Sequence, residues 1–172
     1  MSGLSILLLV LPLPFAFIIH DLEEIFLLDK WMLRKRDGVA ARFPKAAPLL
    51  DRLKGIGTRG FAIAAAEELL VLLIVTAYVL AQCPYAREIW TAVFLAFSIH
   101  LFVHVVQAVL VRGYVPGLVT SILLLPYAGY GIYSIHLVMN WLQILLLGLA
   151  GILFLIPNLK FAHWIGALVA KT

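Results

Sequence analysis

Side chains that can bind a metal or move a proton gather at three places in an otherwise apolar chain. The first is His20-Asp21-Leu22-Glu23-Glu24, inside the run 13–28, which carries no other charge. On a helix, Glu23 and Glu24 fall three and four residues after His20, so imidazole and carboxylates share roughly one face. The second place is Glu67-Glu68, and the third is the pair His100 and His104. These histidines stand four apart, which puts both rings on one helix face, with Gln107 close to it. Two histidines at that spacing are a recurrent helical metal-ligand pair. Ionisable groups at membrane depth each cost ~2.5–3.5 kcal/mol on insertion scales, so such groups need compensating partners. Two glutamate doublets would be neutralised by two divalent cations, and helical bundles that hold two metals take glutamates and histidines from facing helices. A carboxylate-rich, sulfur-free set favours iron, manganese or zinc over copper. The expected ligands are His20, Glu23, Glu24, Glu67 or Glu68, His100 and His104, holding one or two ions. Proton sharing among neutral Glu and His is the competing reading. A third is a tilted first span that leaves His20–Glu24 among headgroups.

The background to these groups is a membrane protein. Of 172 residues, 64% are hydrophobic and 13% charged, and the mean hydropathy is +1.07. Soluble domains run about 45–50% apolar and ~25% charged. The net charge of +4 does not point to nucleic acid, because the basic residues concentrate in 30–59 as in a cytoplasmic loop. The single Cys83 excludes an intramolecular disulfide and a cysteine-based metal site. Residues 1–11 lack a basic start and a small-residue cleavage site, so they read as part of a retained first span.

The pattern predicts an all-α, polytopic bundle of about five transmembrane helices in one domain, with spans 4–28, 61–82, 89–111, 118–138 and 141–156. Pro12 and Pro14 are expected to kink or restart the first helix, and the basic stretch 29–60 is read as a cytoplasmic loop. Within it, 39–53 mixes Phe43, Leu49, Leu50 and Leu53 with Arg42, Lys45, Arg52 and Lys54, as in a short amphipathic segment on anionic headgroups. The stretch 112–117 reads as a tight turn, with glycine ending one helix and proline in the first turn of the next. Residues 158–172 are expected at the interface. With the N-terminus outside and the C-terminus cytoplasmic, twelve Lys and Arg fall inside and only Arg87 outside, as the positive-inside rule requires. The location implied is a plasma membrane or a bacterial inner membrane.

At 1.5 Å per residue, Glu67 and Glu68 lie about 10–12 Å inward from Gly60, and His104 and His100 roughly 12–18 Å inward from Arg112. Glu24 lies about 9 Å inward from Lys30 by the same rise. The three clusters thus share the cytoplasmic half of the bilayer and point to one site. Glu67 and Glu68 are about 100° apart on a helix, so one of them faces it. Asp21 turns away toward helix packing. Tyr127, Tyr130 and Tyr133 form a stripe suited to packing or to a pocket wall. Thr120 and Ser121 can bond either ligands or their own helix. His136 falls on the outer side, and His163 reaches the site only if the tail folds back.

His20-Asp21-Leu22-Glu23-Glu24 matches the HxxEE pattern, and Tyr114-Val115-Pro116-Gly117 matches a Tyr-x-Pro-Gly motif. On both motifs the chain resembles the HXXEE-domain family of small membrane proteins. The resemblance implies a further site histidine, which His100 or His104 supplies, and raises an enzymatic role without naming a reaction. The chain differs from CAAX-type intramembrane proteases, which carry arginine where Leu72 stands, and from membrane desaturases, which carry several histidine boxes. The resulting expectation is a metal-dependent membrane enzyme acting on a lipid-like substrate, by hydrolysis with zinc or oxidation with iron. Glu23 and Glu68 are the glutamates available as general base, and Tyr114 is a donor that orients a ligand. A proton- or ion-coupled carrier and a non-catalytic membrane subunit are the alternatives.

Overall fold

Pro12 and Pro14 do not break the first helix; they start it. Prolines in a first turn lack only amides that have no helical acceptor there, and α1 runs unbroken over Pro12–Arg42 after a short π-turn at Ile6–Val10. A computed structural model of the chain describes residues 6–169. The other helices are α2 (Ala47–Leu80), α3 (Ala86–Val111), α4 (Leu118–His136) and α5 (Trp141–Val169). No strand occurs among the described residues. Among the described residues, four stretches are long and apolar enough to cross a membrane: Pro44–Leu80, Ala86–Val111, Leu118–His136 and Trp141–Val169. The charges of the His20–Glu24 cluster keep α1 out of that group.

The stretch expected as a basic loop is instead mostly helical. α1 continues past its apolar part and turns at the one-turn 3-10 helix Pro44–Ala46. α2 then packs back on it, burying Leu28 and Met32 against Leu50, with Trp31, Leu53 and Phe61 alongside. This apolar contact gives the segment an internal partner, whereas a surface-lying helix would direct the same residues at lipid. Arg36 adds ion pairs with Asp37 and, across the turn, with Asp51. Gly57, at φ 65° and ψ 175°, kinks α2, a conformation open to glycine at little cost. The amide and hydroxyl of Thr58 both donate to Asp29 of α1, which caps the helix where it restarts. α5 likewise passes through Pro157 without ending, so the stretch from 158 to 169 extends the last helix.

The main core lies around α3. Trp90 and Phe94 are fully buried and stacked at 4.8 Å between centroids, and Tyr127 meets Phe94 edge-on at 5.5 Å. Tyr127 also donates to the Leu9 carbonyl at 2.6 Å, while Tyr130 and Tyr133 of the same stripe are exposed. Small residues set the closest crossings. A Cβ on Gly166 would stand 2.1 Å from the Gly60 carbonyl oxygen, and one on Gly151 would stand 2.1 Å from that of Ala92. α5 is therefore drawn onto α2 and α3 backbone to backbone, a mode of helix packing that small residues permit.

Candidate metal centre

The HxxEE stretch divides its side chains between two neighbours. His20 and Glu24 are i and i+4, so they stack on one face of α1, and that face meets His100 and His104 of α3. His20 Nε2 lies 3.0 Å from His100 Nε2, and His100 Nε2 lies 3.1 Å from His104 Nε2. Glu24 Oε1 lies 3.3 Å from His104 Nε2. All four donor atoms fit within 4.8 Å of one another. Donors held ~2.0–2.1 Å from a tetrahedral ion stand about 3.4 Å apart, so the close pairs match the spacing around a single cation. His20 and His104 are buried and Glu24 is nearly so.

Glu23, one residue round the helix, points elsewhere. Its Oε1 accepts from the Tyr114 hydroxyl at 2.5 Å and from the Val119 amide at 3.2 Å. Its Oε2 accepts from the Thr120 amide at 2.7 Å and the Thr120 hydroxyl at 2.6 Å. Two of these donors are among the free amides at the start of α4, so a carboxylate from α1 caps another helix and sits at the positive end of its dipole. With both oxygens engaged twice, Glu23 stands outside the group of four.

These bonds fix a tautomer. His20 Nδ1 lies 3.0 Å from Thr120 Oγ1, and that hydroxyl has one proton, which its 2.6 Å contact assigns to the Glu23 carboxylate. The hydroxyl must then accept from His20 Nδ1–H, which leaves the lone pair of Nε2 directed at His100 and His104. A carboxylate reaching a metal-ligating histidine through hydrogen bonds is the arrangement that raises ligand basicity and locks the ring.

The turn 112–117 closes the other side. Arg112, at φ 55°, takes the left-handed position that ends α3, where glycine was expected. Gly117, at φ 82°, opens α4, and a Cβ there would stand 2.9 Å from both the His104 and His20 rings. The Pro116 backbone faces the His104 ring. Trp31 Nε1 donates to the Tyr114 carbonyl at 2.7 Å, tying the turn to α1. Partial burial, and then the Glu23 carboxylate it donates to, hold the Tyr114 phenol above its ordinary pKa, so it remains a donor.

A family model, described as protein of unknown function with HXXEE motif, matches residues 11–131. The chain belongs to the HXXEE family. The matched stretch of this HXXEE protein holds all four donors and the whole of the Tyr114–Thr120 support. No curated protein and no solved structure matches the chain.

The remaining sequence candidates are not among the four converging donors. Glu67 accepts from Asn158 Nδ2 at 3.2 Å, and Glu68 lines a cavity that also touches His100. Asp21 is buried and lies within electrostatic range of Glu24 and Glu68. His136 stacks on Trp141 at 4.1 Å, and His163 lies against Phe61 at 6.0 Å. Sequence reasoning missed Gly117, Trp31 and the full part played by Thr120. The Tyr-x-Pro-Gly signature was the available signal, since a glycine after proline at a helix start suits a positive φ.

Proposed function

We propose that His20, Glu24, His100 and His104 bind one divalent transition-metal ion, and that the protein is a membrane enzyme acting on a lipid-like substrate. The observation that carries this reading is the convergence of three imidazole nitrogens and one carboxylate, with the His20 tautomer set by Thr120. Three neutral imidazoles and one carboxylate form a set suited to zinc, iron or manganese. Zinc with four protein ligands is normally closed and structural, whereas six-coordinate iron or manganese keeps two positions open. A catalytic role therefore favours iron or manganese, and an ion bound there would supply Lewis acidity or activate water or dioxygen.

The chain's own residues divide the remaining work. Glu23, Thr120 and Tyr114 hold the His20 ring in place. Glu68 has no hydrogen-bond partner among the described residues and shares a cavity with His100, which makes it the carboxylate placed to act as a general base. In the membrane arrangement we propose, α1 crosses with the four apolar helices, the N-terminus lies outside and the C-terminus is cytoplasmic. The support is the excess of Lys and Arg in 30–59 over the single Arg87 on the opposite side.

A cation- or proton-coupled carrier is a second reading, favoured by the electrostatic proximity of Asp21, Glu24 and Glu68. Elemental analysis of the purified protein separates the two. The enzyme reading expects one equivalent of transition metal, lost in both His100→Ala and His104→Ala while helicity is kept. Full metal content in both variants overturns the ligand assignment. Ion flux in liposomes from metal-free protein favours the carrier.

A further inference from the structure

Beside the four donors lies a narrow cavity of about 60 Å³ between α1, α2, α3 and α5. Its walls are sorted by polarity. At the end nearer the 112–117 turn stand Glu68, His100 and Asn158. At the opposite end stand Phe17, Leu72 and Val93, with no polar side chain among them. On α3 the distance from His100 to Val93 is seven residues, or about 10 Å at 1.5 Å per residue. Phe154, 51% exposed, also borders the cavity and marks where it meets the apolar exterior.

We infer that this cavity receives the first few carbons of one hydrocarbon chain of an amphiphile, with the polar group at the end formed by Glu68, His100 and Asn158 and the rest of the chain leaving past Phe154. Three observations select this occupant. At about 60 Å³ the cavity is far smaller than the roughly 150 Å³ that admits a benzene ring, so it excludes a ring system or a headgroup and takes a short alkyl segment. The apolar far end offers no hydrogen bond to a polar ligand, so it favours only hydrocarbon. His100 is both a wall of the cavity and one of the four converging donors, so the polar end of the chain would be delivered to the centre. The placement of the chain rests on the cavity alone. Its chemical consequence rests on the metal reading proposed above.

The test uses a long-chain fatty alcohol carrying a diazirine a few carbons from its hydroxyl, photolysed with the purified full-length protein in lipid nanodiscs. Labelling should concentrate on peptides containing Phe97 and Leu155, which line the cavity between its two ends. Val71→Trp and Leu155→Trp, which fill the bore, should each lower it about tenfold, which is about 1.4 kcal/mol in binding. Leu145→Trp, on the exposed side of α5, should leave it unchanged. Metal content measured on the same samples separates the two readings. Focal labelling of metal-free protein supports the chain site while overturning the metal centre. Labelling spread evenly over the exposed apolar helix faces, or unchanged in both filled variants, overturns the inference. If the tryptophan variants lose helicity, Leu155→Ala decides instead. Its wider bore should raise labelling, and unchanged labelling overturns the inference.

Discussion

Thr120→Val isolates the hydrogen-bond chain from Glu23 to His20. Valine keeps the β-branched shape of threonine, so the helix and its packing are conserved, and only the hydroxyl is lost. That hydroxyl accepts from His20 Nδ1 at 3.0 Å and donates to Glu23 Oε2 at 2.6 Å, with the Gly117 carbonyl a more distant acceptor at 3.3 Å. Glu23 keeps its bonds to the Tyr114 hydroxyl and to the amides of Val119 and Thr120, so α4 still begins where it does. His20 loses the one Nδ1 partner it has among the described residues, and the tautomer that presents a bare Nε2 is no longer enforced. Removing such a support from a ligating histidine costs 10–100-fold in metal affinity, or about 1.4–2.8 kcal/mol. Leaving buried polar atoms short of a partner adds about 1–3 kcal/mol to the loss of fold stability. Competition with a chromophoric chelator in detergent measures the affinity, and thermal circular dichroism measures the stability. Thr120→Ser, which restores the hydroxyl, should recover the affinity. If Thr120→Val binds metal as tightly as the parent protein, the tautomer argument fails. An equal deficit in Thr120→Ser would also refute it.

Two further outcomes follow from other parts of the structure. Gly117→Ala combines a left-handed φ of 82° with a methyl group 2.9 Å from both histidine rings, so it should lower stability by about 1–3 kcal/mol and weaken metal binding together; an unchanged melting temperature contradicts the geometry of the turn. Cys83, a free and partly exposed thiol between α2 and α3, should react with a membrane-impermeant maleimide added outside intact cells; labelling only after the cytoplasmic side is opened reverses the proposed topology.

Much of this protein is written locally in its sequence. The apolar runs required helices, because buried or lipid-facing backbone must satisfy its own hydrogen bonds. The i, i+4 spacing of His100 and His104, and of His20 and Glu24, placed each pair on one helix face before any fold was known. Shared depth joined the two pairs, since rise per residue is fixed along a helix. Other features depended on contacts between elements. The basic stretch 30–59 reads as a loop from its charge and glycines, but Leu28, Met32 and Leu50 find one another and make it a helical hairpin. Glu23 and Glu24 are chemically identical neighbours, and sequence could not divide them. Their azimuths differ by about 100° on one helix, and only the positions of α3 and α4 decide that Glu24 meets histidines while Glu23 meets the amides of Val119 and Thr120. The same holds for Glu67 and Glu68, which α5 separates by presenting Asn158 to the first and a cavity to the second. Residue type and helical period determined which groups were available for chemistry. The packing of the other four helices around α3 decided which of them meet, because a site of this kind is a set of distances between atoms far apart in the chain.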